Sequence, residues 1–584
     1  MYMNKSEERE EEFSFSRPFI PLTKTKAITW IVIIGFIVYF NSLFNSFVGD
    51  DLIYIINNAS SHTINISHAF GTSIFNTQGQ YRPIPALYFS ILYILFGTNT
   101  FFYHFFQLSL HIICTIFLFI LFRKFFSLRF SFLSTLVFLI HPLQVESVSY
   151  ISQTVSELFF LFGMLAFFLS LKKKISVRTL LAMGLLFLLS LLTKETGVLF
   201  FLLILTYSFL FNRKNILKFL CAGISGLAIY FILRHFVGNV GINSAHLGPI
   251  ATATLEQRLI SMPEIIFYYI KSLIFPLYLA YDQQWVITSI DSTHFYFPLI
   301  ADLLFFAAIC MAGIFIMKKK NNNLKLFFFF CMWFFSGFGI ITQIYPLDAT
   351  VADRWFYFPL AGLLGIIGVF MQSVTWHSTI KKVGVFAGIC LVLLFSVRTI
   401  IRNSNWSDGI TLFSHDIKIS DNPNLEGNLA YELLLANRYT EGIYYLQKST
   451  QAEPNASDLY DLGSLYEQSH NYQKAIYYYS LSLKQNDGTY GNNEVRKNAY
   501  DGLSRILTLH QDPKNAKKFL ERALKIYPKE GSYWAYLAIV DYTLGGQDEA
   551  LKAAENAKTL LHNATVDKLY YRIYNKKPLN LKVQ

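Results

Sequence analysis

The sequence predicts an all-α protein in two parts, a polytopic helical membrane domain of about eleven spans followed by a C-terminal α-solenoid. Three observations carry this prediction. The 584 residues are 53% hydrophobic and 17% aromatic but only 15% charged, whereas an average globular chain is about 25% charged. The apolar residues gather into runs close to the ~20 residues that a helix needs to cross a bilayer. Past Asn403 the composition turns polar and Tyr-rich, with a recurring pattern. A disordered or fibrous chain is thereby excluded. The net charge of +12 does not mark a nucleic-acid binder, because most of the basic residues punctuate apolar runs instead of forming one patch.

The candidate spans are 27–47, 101–121, 130–150, 155–171, 180–192, 197–211, 216–236, 295–317, 326–344, 355–371 and 383–401. The first is long enough to cross and lacks a small-residue cleavage site, so it reads as an anchor and not as a cleavable signal peptide. Short cytoplasmic loops are enriched in Lys and Arg. With eleven spans, Lys24/Lys26, Arg123/Lys124/Arg129, Lys172/Lys173/Lys174/Arg178, Arg213/Lys214/Lys218, Lys318/Lys319/Lys320/Lys325 and Lys381/Lys382 all fall on one side. The N-terminus is then cytoplasmic, and the chain after Asn403 is external. Two further apolar stretches, 84–96 and 263–279, are short or interrupted and read as helices in the outer interface. The expected organisation is a cytoplasmic tail (1–26), a membrane domain (27–402) and an extracytoplasmic repeat domain (403–584).

Cys114, Cys221, Cys310, Cys331 and Cys390 all lie in apolar segments, with no CxxC or metal-ligand spacing. They read as core or lipid-facing residues, which excludes a disulfide framework or a zinc ribbon. In the polar part, Leu429, Leu462, Leu503 and Leu537 share one repeat position, and Gly442, Ala475, Ala516 and Ala550 share another. The segment YDLGSLYEQSHNYQKAIYYYSLSL fits a 34-residue tetratricopeptide unit, in which small residues let two antiparallel helices pack closely. Four units are expected, one carrying an insertion near residues 488–493.

The polar residues of the expected outer leaflet are the candidates for chemistry. Asp50 and Asp51 directly follow the first span. Adjacent carboxylates repel, so one should have a raised pKa, which suits a general base or a metal ligand; alternatively both cap the following helix. Arg82, His141 with Glu146, Lys194 with Glu195, and Asp353 with Arg354 are placed at the same leaflet by the topology. Ionisable groups at membrane depth usually face a protein-lined cavity. A cavity gathering acids with Lys194 and Arg354 suits a phosphorylated lipid substrate; the plainer account is snorkelling and internal pairing, for instance Lys194 with Glu195 or Glu146. His104 and His111 share one helix face and read as interhelical hydrogen-bonding residues. Arg398 and Arg402 are expected to snorkel or meet headgroups where the last span emerges. Walker, Rossmann, HExxH and GxSxG motifs are absent, so a nucleotide-driven pump or hydrolase elbow has no support.

The order of Asp50-Asp51, YRPIPALYFSILYILFGTNTFFYHFFQLSLH, HPLQVESVSYIS, LLTKETG, DRWFYFPLAGL and VRTIIRNSNWSDGITLF, running into the repeats, resembles the transmembrane and tetratricopeptide-repeat O-mannosyltransferases and their bacterial relatives, of the C-superfamily of glycosyltransferases (GT-C). The resemblance covers nearly the whole chain, and with four repeats it is nearest the shorter bacterial members. It implies transfer of a sugar, mannose in characterised relatives, from a polyprenyl- or dolichyl-phosphate carrier to an acceptor hydroxyl of a polypeptide or glycan on the non-cytoplasmic face. The compartment it implies is the bacterial plasma membrane, with the endoplasmic reticulum as the alternative.

The family's acidic motif falls on Asp50, the implied general base, and on Asp51, which supports it or binds a divalent cation such as Mg or Mn. Its HPxxxE segment falls on His141 and Glu146. Its Ser-Lys-Glu appears as Thr193-Lys194-Glu195, and its Glu-Arg-Tyr as Asp353-Arg354-Trp355. Arg82, His141, Glu146, Lys194, Glu195, Asp353 and Arg354 are the implied substrate-binding set. No nucleotide is required. The repeats would hold an acceptor polypeptide or recruit a protein partner. Two other readings compete: an O-antigen-ligase-like transferase, which would place its essential Arg and His in a large late external loop, and a non-catalytic membrane scaffold displaying repeats.

Overall fold

The computed structural model describes residues 22–72, 75, 79–241, 248–319, 323–485, 492–510 and 513–579. Most of the expected N-terminal tail, and the insertion expected near residue 488, lie outside them. The chain divides into two compact units, Met1–Asp421 and Asn422–Gln584. The Gly409–Asp416 helix, beyond the last apolar span, is part of the first unit.

Among the described residues of the first unit the regular secondary structure is helical, apart from one isolated bridge between Gln283 and Val351. Seven of its helices are long and apolar enough to cross a membrane: Thr100–Phe122, Ile151–Ser170, Arg213–Val237, Ser292–Lys318, Asn323–Ile340, Asp353–Ser373 and Ser378–Asn405. An eighth crossing forms if Leu128–Ile140 and Pro142–Ser149, bent by 51° at His141, count as one span. The break has a local cause. Pro142 lacks an N–H to continue the helical ladder, and the His141 ring caps the new turn by accepting the Leu143 N–H at 3.2 Å. The other three expected spans are the helices Lys24–Val38, Val177–Thr193 and Val198–Phe211, of 15, 17 and 14 residues. At 1.5 Å per residue each is shorter than a ~30 Å hydrocarbon core, which is why length alone supports seven or eight spans and not eleven.

Polar residues set the helix starts. Asn99, Ser127 and Ser176 cap helices by accepting backbone N–H groups, and Thr254 and Gln257 form a reciprocal capping box. The interior is rich in aromatic residues set among Leu and Ile. Trp333, fully buried, donates its indole N–H to the Phe358 carbonyl at 3.1 Å, amid Phe167, Phe329, Phe330 and Phe358. Close approach of the two helices here requires Gly362, where a Cβ would lie 2.5 Å from the Phe334 backbone nitrogen.

Two irregular segments pack on each other beside this bundle. Thr350 N–H donates to the Gln283 carbonyl at 3.0 Å, and the Thr350 hydroxyl both donates to the Trp285 carbonyl (2.7 Å) and accepts its N–H (3.0 Å). This clamp joins the segment carrying Tyr281 to the one leading into Asp353 and Arg354.

The second unit consists of antiparallel helix pairs. Pro423–Leu435 with Tyr439–Ala452, Ala456–Gln468 with Tyr472–Lys484, Asn492–His510 with Pro513–Ile526, and Gly531–Thr543 with Gln547–Leu561 make four pairs, and Ala564–Tyr574 closes the series. Small residues sit where the helices touch. Ala475, Ala516 and Ala550 are fully buried, and Tyr479 wedges between Gly463 and Gly502, at each of which a Cβ would lie 2.5 Å from its ring. All-α architecture with apolar spans and a repeat solenoid is thus the fold.

Candidate active site

The turn that ends the first helix presents two carboxylates in different ways. Gly49 takes a φ of +54°, which an L side chain rarely adopts. Asp51, beyond it, is fully buried. Its carboxylate accepts the Val48 N–H at 3.1 Å, the Ser152 N–H at 2.7 Å and the Ser152 hydroxyl. Burial raises its pKa to about 7 against those hydrogen bonds. Asp51 therefore pins the turn to the start of the Thr154–Ser170 helix. Asp50 is half-buried, and its backbone N–H donates to the Tyr150 hydroxyl at 2.9 Å. Burial pushes the Asp50 carboxyl upward; the Tyr150 hydroxyl and the guanidiniums of Arg354 and Arg82 oppose that rise, and Asp348 adds to it.

Two cations, Arg354 and Arg82, act on this carboxyl, and the same two act on a third, Lys194. Arg354 opens the Tyr357–Ser373 helix, and buried Glu146 holds it by accepting its backbone N–H at 2.8 Å and its Nη1. Its other Nη lies 3.9 Å from exposed Asp348. Lys194 caps the end of the Val177–Thr193 helix; its ammonium donates to the Ser156 hydroxyl at 3.3 Å and lies 5.6 Å from the Phe159 ring centre. Burial first, then Arg82 and Arg354, lowers its pKa to about 7. Arg82 donates through Nε and Nη2 to Glu195 at 3.3 Å. Arg82 and Arg354 are thus close enough to influence the protonation of both Asp50 and Lys194.

The remaining expected residues serve this set indirectly. His141 is fully buried: Nδ1 accepts the Leu143 N–H and Nε2 donates to the Leu273 carbonyl at 3.0 Å, so neither nitrogen is left for a substrate. Asp353 is buried and accepts the Tyr268 hydroxyl at 2.6 Å. Glu146 and Glu195 are anchors for Arg354 and Arg82. Among the described residues Lys194 forms no ion pair with either of them, and its ammonium donates to Ser156. Arg402, expected at headgroups, is fully buried on Asp416, because a carboxylate from the next helix reaches it at 2.7 Å. Arg398 donates to the carbonyls of Pro276 and Leu277 at 2.8 Å. His111 bridges Tyr357 and Leu139 at 2.9 Å, and His104 meets the Asn45 carbonyl at 3.2 Å.

The adjacent acids do not fit a divalent-ion site. The Asp51 oxygens already accept three hydrogen bonds in a fully buried place, and among the described residues no three His, Cys, Asp or Glu side chains gather to hold a metal.

Arg234, Tyr150, Tyr281 and Asp348 were not legible as members of the site. Arg234 donates to Glu195 (3.3 Å), Tyr230 (3.1 Å), Gly79 (3.0 Å) and Gly241 (2.9 Å), stapling the loop that carries Arg82. An arginine inside an apolar run was the available signal.

A tetratricopeptide-repeat family profile matches residues 455–529. The human protein O-mannosyl-transferase TMTC3 is 23% identical across 90% of this chain and 67% of its own length. Its mouse counterpart is 22% identical across 74% of this chain and 51% of its own, and the Caenorhabditis elegans protein O-mannosyl-transferase F38B6.6 is 24% identical across 67% and 57%. The chain spans about half to two thirds of the length of these relatives. The crystal structure of yeast Tom70 aligns over 81% of this chain and 96% of its own at 14% identity, with a TM-score of 0.19, too slight a likeness to bear on the fold. Over 90% of its length, apolar helices and repeats alike, this chain is similar to a protein named as an O-mannosyl-transferase.

Proposed function

We propose that this chain is an integral-membrane glycosyltransferase. It moves a sugar, mannose by likeness to relatives named as O-mannosyl-transferases, from a polyprenyl-phosphate carrier to an acceptor hydroxyl, such as that of protein Ser or Thr, on the extracytoplasmic face. The observation that carries this reading is that Arg82 and Arg354 act both on the half-buried Asp50 carboxyl and on the buried Lys194 ammonium.

A sugar phosphate already contains its leaving group. The protein has to take the acceptor proton and balance the charge of the departing phosphate. Asp50 accepts the hydroxyl proton: its half-buried carboxyl is shifted upward, whereas that of Asp51 is spent on Val48 and Ser152. The acceptor oxygen bonds to the anomeric carbon as the carbon–phosphate-oxygen bond breaks, and that electron pair leaves on the phosphate. Lys194, Arg82 and Arg354 hold the phosphate. The repeats bring an acceptor polypeptide or a protein partner, as their solenoid construction suits extended chains. The basic clusters support an arrangement with the repeats outside the cytoplasm.

Purified protein supplied with radiolabelled polyprenyl-phosphate sugars and acceptor peptides tests the reading. Transfer by wild type and its loss in Asp50→Asn are expected. Equal transfer by both proteins, or none by wild type to any acceptor, would overturn it.

A further inference from the structure

The loop carrying Asp50 is held from an unexpected direction, the short helix beyond the last apolar span. The carboxylate of Asp416 in that helix is fully buried and meets four nitrogen groups from three residues. Arg402 donates Nη1 to Oδ1 at 2.7 Å and Nη2 to Oδ2 at 3.1 Å; His415 Nδ1 lies 2.7 Å from Oδ1, and the Tyr281 N–H donates to Oδ2 at 2.6 Å. Such a bidentate, saturated carboxylate fixes the direction of every group bound to it. Here it fixes the backbone of Tyr281.

The Tyr281 side chain then runs toward the site. Its ring packs edge-on against Phe413 at 5.6 Å, Trp406 at 6.0 Å and Tyr150 at 5.4 Å. Its hydroxyl lies 3.3 Å from that of Tyr150, which accepts the Asp50 N–H. A tyrosine hydroxyl has one donor and two acceptor sites, so Tyr150 can serve both neighbours. Gly49 lies under the pair: a Cβ there would be 3.3 Å from both hydroxyls. A second tie runs parallel, since the Ser46 N–H donates to the Ser407 carbonyl at 2.8 Å.

We propose that Asp416, clamped by Arg402, is a positioning residue for Asp50, acting through the hydroxyl pair of Tyr281 and Tyr150. The carboxylate touches no substrate. It sets where the Asp50 turn stands relative to Lys194 and Arg354, and the inference rests on Asp50 being the base. Reactive geometry is sensitive to displacements of about 1 Å, so loosening the chain should cost turnover more than donor binding.

The test uses the full-length protein in detergent. Tyr281→Phe removes one hydroxyl and keeps the ring; Asp416→Asn removes the charge; Glu441→Gln, at an exposed pair with Arg438 in the repeats, is the control. Hydrogen exchange of the peptide spanning residues 48–53 is followed together with kcat and KM for a polyprenyl-phosphate sugar. Expected are at least tenfold faster exchange at the Asp50 amide and a kcat about tenfold lower in Tyr281→Phe, with KM within twofold and the control unchanged. If Asp416→Asn does not fold, Tyr281→Phe alone decides. Unchanged exchange at Asp50, or a kcat equal to wild type alongside faster exchange, would overturn the inference. Transfer surviving in Asp50→Asn would instead overturn the assignment of the base, and the exchange result would still decide whether Asp416 orders the turn.

Discussion

Glu146 and Arg354 meet across a gap of 208 residues in sequence, the carboxylate accepting both the backbone N–H and the guanidinium of its partner. The side chain of Glu146 is 2% exposed and that of Arg354 13%. Arg354 is therefore locked at backbone and side chain together, leaving its remaining donors aimed past Glu146.

Glu146→Gln is expected to lower unfolding stability by about 3 kcal/mol or more, because removing one member of a buried pair strands the other charge. Arg354→Met should cost less than that together with Glu146→Gln than alone. A double-mutant cycle followed by thermal unfolding checks both, and additive effects would contradict the coupling.

Asp50 and Asp51 should separate cleanly. Asp51→Asn turns an amide NH2 toward donors and is expected to cost about 1–3 kcal/mol of stability, whereas Asp50→Asn should abolish transfer with the melting temperature nearly unchanged. The pKa of Asp51 is raised to about 7 in the fold, against ~3.9 unfolded. The folded state thus binds more protons across that window, and this contribution to stability is full below about pH 4 and lost as pH rises toward 7. Thermal scans from pH 4 to pH 8 should show this slope in wild type and a flatter one in Asp51→Asn.

Lys194 should make donor affinity pH-dependent. With its pKa near 7, the free protein loses this charge as pH rises past neutrality, and phosphate binding must then take up a proton. KM for the lipid donor is expected to climb up to about tenfold per pH unit above 7. Lys194→Arg, charged throughout, should flatten that rise; equal profiles would remove Lys194 from the phosphate site.

Gly49→Ala forces a Cβ onto a residue at a φ of +54°. A cost of about 1–2 kcal/mol is expected, with the larger effect on kcat because the Asp50 turn has to shift away from the two tyrosine hydroxyls. Near-wild-type kcat would mean that the turn relaxes without moving Asp50.

In the repeats, Gly463→Val should clash with the Tyr479 ring, 2.5 Å from a Cβ at that position, and cost about 1–3 kcal/mol by overpacking. Limited proteolysis between residues 456 and 510 should then accelerate.

Composition and periodicity alone determined that this chain is helical, that its first part is built of membrane-length apolar runs and that its second part is a solenoid. Apolar run length and the spacing of small residues are local properties, written along the chain. The candidate acids and cations were also legible, since charges next to apolar runs stand out. Their roles were not. Asp50 and Asp51 are neighbours with one chemistry, and only the fold turns Asp51 onto Ser152 and leaves Asp50 under the charges of Arg354 and Arg82. His141 was implied as a substrate contact, and both of its nitrogens are spent on backbone. Arg402 looked like a headgroup contact until Asp416 reached it. Tertiary structure decided these because a side chain's function depends on which donors and acceptors remain after packing, and partners such as Ser152 for Asp51 or Leu273 for His141 lie more than a hundred residues away in the chain.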